Sequence, residues 1–372
     1  MSLAPFDHQP RTRLIYGNGT LARVGEMAQE IGGRRALVVS DPGIVKAGYV
    51  TRAVSYLVAA GLQARVFGDV RENPSTEDVD ACLAVAKEFQ ADMIIGLGGG
   101  SSMDTAKGCN FILTNGGRMQ DYWGVGKATT PMLPLIAIPT TAGTGSECQS
   151  FALISDAETH VKMACGDPKA AAKVAIFDPE LTVSQPQRVT ACTGMDALSH
   201  ALETAVTNKR NAFSSLYSRE GFRLCHSGFS RVLRDPKDIE ARGMMLLGAA
   251  YAGTAIENSM LGAAHSCANP LTAKFNVVHG EAVGVMLPHI VRFNSQLPEI
   301  AAVYESYFNG DLADRISELL WEAKMPQKIS EYGVKEEHLQ DLAAMAAKQW
   351  TAQFNPRVPN VADFVALYRA AL

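Results

Sequence analysis

The sequence predicts two domains of different class: an N-terminal α/β domain built on a parallel sheet, residues 1–185, and an all-helical C-terminal domain, residues 186–372. Three observations predict it. Short β-branched runs alternate with helical patterns in the first half, two of those runs end in glycine-rich turns, and the β-rich runs stop beyond "SQPQRVT". Such alternation joins each strand to a parallel neighbour through a crossover helix. A chain of 372 residues also has room for two cores at the usual domain size of about 100–200 residues.

The elements follow in order. "RALVVSD" reads as a strand and is followed by a helical segment near 44 to 60; "ARVFGDV" is a second strand, and a helix runs near 76 to 90. "DMIIGLGGG" is a continuous apolar strand, with a helix beginning near Ser102. "LPLIAIPTT" at 133 to 141 and "KVAIFDP" at 173 to 179 continue the series. Long segments of helical apolar spacing come next, broken by prolines at 236, 270, 288, 298, 326, 356 and 359. No repeat of fixed period is visible.

Composition narrows the function classes. With 47% hydrophobic and 19% charged residues, 32 glycines and no low-complexity tract, the chain is a folded protein of enzyme size. Its net charge of -4, with scattered lysines and arginines, provides no basic footprint for nucleic acid. The opening "MSLAPFDHQPRTRLIYG" lacks a basic start before an apolar run, and no window approaches a membrane span. Seven cysteines stand singly at 82, 109, 148, 165, 192, 225 and 267, without CxxC spacing, which predicts free thiols in a reducing compartment, the cytoplasm.

Two turns carry a ligand signal. In "IIGLGGGSSMDTAK" a strand ends in Gly98, Gly99, Gly100 and Ser101 before a helix starts. Glycines let the backbone approach a ligand, and a helix start presents free N–H groups and a positive dipole end to an anion such as phosphate. Met103 occupies the place of the last glycine of a GxGxxG fingerprint, so this is a different loop. "IPTTAGTGSE" repeats the device, with Thr140, Thr141, Thr144 and Ser146 around Gly143 and Gly145; Ser146 and Glu147 read equally well as an ordinary helix start. Ligands of parallel sheets bind at the carboxyl ends of strands, and two such loops on one sheet favour a nucleotide. Asp41, at the end of "VVSD", can accept hydrogen bonds from a ribose diol and repel a 2'-phosphate, which favours NAD over NADP.

"GMDALSHALE" sets Asp196 and His200 four residues apart on one helical face, where a carboxylate and an imidazole can point at one divalent metal. A helix-surface contact is the plain alternative, so further ligands are needed. His265, in "LGAAHSCANPL", and His279, in "FNVVHGEAVGVMLPH", lie in apolar stretches where an unpaired imidazole is costly to bury. Pro270 is expected to break any single helix between them, so they arrive from two neighbouring helices. His8, His160, His226 and His338 read as solvated, and His289, after Pro288, as a helix-start or supporting group.

In combination these segments resemble the iron-containing (group III) alcohol dehydrogenases, of the lactaldehyde reductase and butanol dehydrogenase type. "GGGSSMDTAK", "PTTAGTGSE", "FDPELT", "TGMDALSHALE", "GAAHSCANPL" and "VVHGEAVGVMLPH" appear in the family order over nearly the whole chain. The resemblance implies a Rossmann-like N-terminal domain in a dehydroquinate synthase-like architecture, with the active site in the cleft between it and the helical domain. It implies Asp196, His200, His265 and His279 as metal ligands. It implies that Gly99, Gly100, Ser101, Thr140, Thr141 and Thr144 line the pyrophosphate and nicotinamide region, with Asp41 near the adenosine ribose. Asn73, Lys162 and Leu181 match cofactor-side positions, and Asp104 and Lys107 are placed at the nicotinamide end. The metal it implies is Fe(II), although three imidazoles and a carboxylate also suit Zn(II).

One position departs from the pattern. Many members carry a histidine four residues after the third ligand; here that place is Asn269, which cannot titrate and cannot shuttle a proton. The implied reaction is reversible hydride transfer between NAD(H) and a primary alcohol or aldehyde, a small-molecule substrate, by a homodimer or larger homo-oligomer. The rivals are a glycerol-type polyol dehydrogenase, whose relatives use fewer ligands, a maleylacetate-reductase-like enzyme, and a metal- and nucleotide-binding protein without turnover. Phe151 is a candidate for the substrate pocket, with core packing as its other reading.

Overall fold

The computed structural model describes residues 4–372 and divides into two compact units. One unit comprises residues 9–141 and 145–184; the other comprises residues 185–372 together with residues 4–8 and 142–144. The short segment 142–144 thus leaves the α/β unit in whose second glycine-rich turn it lies.

The α/β unit runs β1 (Arg13–Tyr16), α1 (Val24–Glu30), β2 (Arg35–Val39), α2 (Pro42–Lys46), α3 (Tyr49–Ala59), β3 (Gln63–Phe67), α4 (Thr76–Phe89), β4 (Met93–Gly98) and α5 (Gly100–Asn115). It continues with β5 (Gly124–Val125), β6 (Leu135–Pro139), β7 (Phe151–Ser155), β8 (Lys162–Gly166) and β9 (Val174–Phe177). Six strands form an all-parallel sheet in the order β1-β9-β6-β4-β2-β3. All six residues of β4 are buried, as its unbroken apolar run requires of a central strand covered on both faces. The chain leaves β2 toward β3 on one side and leaves β4 toward β6 on the other, so the carboxyl ends of β2 and β4, adjacent in the sheet, flank a topological switch point.

The five strands expected from the sequence are β2, β3, β4, β6 and β9. The edge strand β1 lies in the opening segment read only for its lack of an apolar run, and it pairs with β9 in the register Arg13↔Val174 to Tyr16↔Phe177. A second sheet of three strands was also hidden: β7 and β8 pair antiparallel, and β5 adds to β8. β1 has four residues and β5 two, too few for a period, and their partners β9 and β8 lie far along the chain; β7 and β8 have five each and pair across a short connection.

The helical unit contains α6 (Gln187–Val206), α7 (Ala212–Arg234), α8 (Ile239–Asn258), α9 (Ala263–Phe275), α10 (His279–Asn294), α11 (Pro298–Tyr307), α12 (Leu312–Glu322), α13 (Leu339–Ala346) and α14 (Val361–Ala370). Helix α6 is buried on nearly every side from Thr190 to Val206, packed among α7, α8 and α10, which is why its sequence shows so little polar face. His265 and His279 do arrive from two helices, but Pro270 is not the break. It lies inside α9, and the helix ends instead at Asn276, whose φ of 53° gives the left-handed cap. Pro288 likewise sits within α10, so His289 is an interior helix residue and not a helix start. Burial, with Arg292 beside it, pulls the His289 imidazole down to about 4. Of the other histidines, His160 is exposed as expected, whereas His8 stacks on Phe213 and His226 packs against Phe222 and Phe308 and accepts from Arg315 Nε.

Candidate functional site

Helices α6, α9 and α10 bring four side chains together in the helical unit. Oδ1 of Asp196 lies 3.3 Å from Nε2 of His200, 3.5 Å from Nε2 of His265 and 3.9 Å from Nε2 of His279. Asp196, His265 and His279 alone offer three ligand atoms within 4.8 Å of one another. His200 adds a fourth, its Nε2 being 3.1 Å from that of His265. His279 opens α10 and is the most exposed of the four, with 31% of its side chain accessible against 6% for the others.

The partners behind the rings decide what the cluster can hold. Nδ1 of His200 faces the carbonyl of Gly143 at 3.2 Å, and Nδ1 of His265 faces Oε2 of Glu203 at 2.5 Å. Both partners accept only, so each Nδ1 carries a hydrogen and each Nε2 is the ring atom turned inward. Oδ1 of Asp196, buried among them, has no hydrogen-bond donor. Two imidazole Nε2 atoms converge with a carboxylate oxygen that has no hydrogen-bond donor, a ligand set for a cation, and nitrogen with oxygen suits a divalent transition metal.

Electrostatics agree. Burial works to raise the Asp196 carboxyl, yet His200, His265 and His279 hold it well below the usual carboxylate range. Burial works to lower His265, yet Glu203 and Asp196 lift it to about 9, so without a cation the ring favours a proton in the place a cation would take. For His200 burial prevails over Asp196 and the imidazole shifts down. Asp196 is thus a buried carboxylate that favours positive charge beside it.

Glu203 escaped the sequence reading although it stands in the same quoted segment. Asp196, His200 and Glu203 are spaced i, i+4, i+7, one face of one helix, and that spacing was the signal.

In the α/β unit, the parallel register puts the turns after β2, β4 and β6 at one edge of the sheet. Gly99 caps α5 without a side chain, and Gly100 and Ser101 form its first turn, leaving backbone N–H groups for a ligand. A Cβ on Gly99 would meet the Thr141 side chain at 3.3 Å, so the glycine keeps open a cradle between the two turns. Asp41 stands across the switch point: Oδ1 caps α2 through Ile44 N–H at 3.1 Å, and Oδ2 faces the Ser102 hydroxyl at 3.4 Å. Asn73, exposed and at a φ of 53°, donates its backbone N–H to Ser101 Oγ at 3.3 Å. Thr140 is buried, Thr141 half-buried. Thr144 falls in the 142–144 segment that packs with the helical unit, where Gly143 lies against Thr193.

Other expected positions have different surroundings. Leu181 is fully enclosed in the apolar core of the α/β unit and offers no surface to a ligand. Asp104 and Lys107 turn inward: Ser146 Oγ donates to Asp104 at 2.7 Å, and Lys107 Nζ donates to Ser146 O, Ser146 Oγ and Phe151 O at 2.6, 2.9 and 2.9 Å. They fasten α5 to the 146–151 segment, because a helix residue one turn further along reaches the same neighbour. Lys162 is exposed at the start of β8, where its charge helps hold down the Asp104 carboxyl that burial raises. The half-buried Phe151 ring covers Gly166, its cross-strand partner. Asn269, one turn beyond His265, donates to Gln349 Oε1 at 2.9 Å.

The comparisons with known proteins fit this geometry. Residues 10–179 match the family model of iron-containing alcohol dehydrogenases, and residues 190–372 match the C-terminal model of the same family. The chain is 34% identical to alcohol dehydrogenase 4 of Schizosaccharomyces pombe over 96% of its length and 87% of the relative's. It is also 34% identical to the NAD-dependent methanol dehydrogenase of Bacillus methanolicus, over 96% and 97% of the two chains. A crystal structure of 1,3-propanediol oxidoreductase superposes with a TM-score of 0.94 at 32% identity, covering 99% of this chain and 100% of the other. With both halves matched and full-length relatives above 30% identity, the chain belongs to the iron-containing alcohol dehydrogenase family.

Proposed function

We propose that this protein transfers hydride reversibly between NAD(H) and a primary alcohol, diol or aldehyde, and that Asp196, His200, His265 and His279 hold the Fe(II) of its active site. The observation that carries the reading is the donor-free convergence of Asp196 Oδ1 with inward-facing imidazole nitrogens. All four ligand positions are occupied by ligand-type residues, which favours this reading over a polyol enzyme with fewer ligands. A divalent metal held there supplies Lewis acidity toward the substrate oxygen.

The chain's own residues do the rest. The glycine start of α5 takes the pyrophosphate on backbone N–H groups, with no side chain to repel it. Asp41 accepts from the ribose diol and disfavours a 2'-phosphate by like charge. Gly143 and Glu203 hold two ligand rings by Nδ1, so each Nε2 is already aimed at the metal before binding. Asn269 holds no proton to give, so proton release passes to water or a cofactor hydroxyl. The seven cysteines are free and six are buried, which supports a cytoplasmic setting. No helix among the described residues is long and apolar enough to cross a membrane. We place the working form as a homo-oligomer.

The test is anaerobic NADH formation by metal-stripped protein with primary alcohols and diols, before and after adding Fe(II) or Zn(II). Turnover restored by Fe(II) is expected. No turnover with either metal, despite measured metal and NAD binding, would overturn the enzymatic reading.

A further inference from the structure

We propose that Glu203 is a positioning residue of the metal site, fixing the His265 imidazole so that Nε2 faces the cluster and tightening metal binding through that ring. The proposal rests on the metal reading of Asp196, His200, His265 and His279.

Glu203 is 3% exposed, and its two oxygens are divided between two donors. Oε1 accepts the Ala264 backbone N–H at 2.6 Å, and Oε2 accepts His265 Nδ1 at 2.5 Å. Ala264 is the second residue of α9, so its N–H is one of the donors that a helix start leaves free, and the carboxylate also sits at the positive end of that helix. The neighbouring Ala263 N–H goes to Asn355 Oδ1 at 3.3 Å. A Cβ on Gly262 would lie 3.2 Å from Glu203 Oε1 and 2.9 Å from Asn355 Oδ1, so the glycine lets the backbone approach the carboxylate closely.

The consequence is chemical. A neutral imidazole has two tautomers, and the wrong one would point Nε2–H at His200 and Asp196, where the ligand set converges. Glu203 works against it: Oε1 already accepts from Ala264 N–H, and Oε2 accepts from Nδ1, which must therefore carry the hydrogen. It also makes Nε2 a more basic ligand, the role that carboxylates behind metal-bound histidines commonly have. A glutamine at 203 cannot reproduce this, because its amide accepts at one oxygen only. Either its NH2 confronts Ala264 N–H, or it donates to Nδ1 and moves the ring hydrogen to Nε2.

The experiment compares the full-length parent with Glu203→Gln, His265→Gln, the double variant and Asp196→Ala. It measures Fe(II) affinity by anaerobic chelator competition, the visible spectrum of the Co(II)-loaded protein, NAD affinity, and the unfolding midpoint without metal. For Glu203→Gln we expect Fe(II) affinity lower by about 10–100-fold and an altered Co(II) spectrum, with parent-like NAD affinity. The double variant should bind no more weakly than His265→Gln alone, because Glu203 acts through that ring. Parent-like Fe(II) affinity in Glu203→Gln, or additive losses in the double variant, would overturn the proposal. Parent-like affinity in Asp196→Ala would instead overturn the metal reading beneath it. Should Glu203→Gln not fold, Glu203→Asp, one methylene short of His265, replaces it: weakened metal binding with parent-like NAD affinity supports the proposal, and unchanged metal binding refutes it.

Discussion

Gly280→Ala should cost the protein its metal although residue 280 has no side chain to lose. Gly280 follows His279 at the start of α10 and lies on the backbone of α6. A Cβ there would stand 2.1 Å from the Cys192 carbonyl oxygen, 2.7 Å from its carbonyl carbon and 3.0 Å from its Cα. Those atoms belong to a buried helix and cannot rotate aside, so the two helices must part by about 1 Å to restore ordinary contact. Overpacking of this kind costs about 1–3 kcal/mol, and a backbone obstacle puts the value near the upper end. The displacement falls on the turn that carries His279 and, one turn along α6 from Cys192, on Asp196. Metal–ligand distances tolerate about 0.2 Å, several times less than the shift. Fe(II) affinity should fall at least about tenfold, with iron-loaded turnover falling alongside it. Chelator competition and thermal unfolding measure both effects. A Gly280→Ala protein with parent-like metal affinity and unfolding midpoint would refute the reasoning.

Two further outcomes are expected. Burial pushes the Glu147 carboxyl up to about 7, with Asp104 acting in the same sense and Lys107 against it. A carboxyl raised in the folded state contributes stability that is present below its ordinary value of 4.5 and is lost as pH rises through about 7. Glu147→Gln should therefore gain on the parent between pH 5 and pH 8 in denaturant unfolding, by up to about 3 kcal/mol; a pH-independent difference would show that Glu147 stays ionised. Asp41→Ser retains a cap for the Ile44 N–H and removes the charge, so the NAD-to-NADP ratio of kcat/KM should fall by about tenfold, with unchanged stability. An unaltered ratio would remove Asp41 from cofactor choice.

Much of the site was legible because helical spacing is local. Asp196 and His200 declare a shared face within five residues, and the same count extended to eight reaches Glu203. The glycines after β4 are equally local, since a side chain at 99 would fill the cradle beside Thr141. His265 and His279 were visible as apolar-stretch histidines, but Pro270 misled about where their helices part, because Asn276 can take the left-handed cap and the surrounding core tolerates the proline.

By itself the sequence determined the alternation that makes a parallel sheet, the glycine turns at strand ends and the carboxylate–imidazole face of α6. These depend on periodicity and on backbone freedom, which neighbours in sequence decide. The tertiary structure alone decided that Leu181 is core, that Asp104 and Lys107 fasten a loop, that the strands β1, β5, β7 and β8 exist, and that Gly143 and Glu203 stand behind two ligand rings. All but the β7–β8 hairpin depend on what a side chain or strand meets from tens of residues away, and burial and hydrogen-bond partners at that range have no period in the chain.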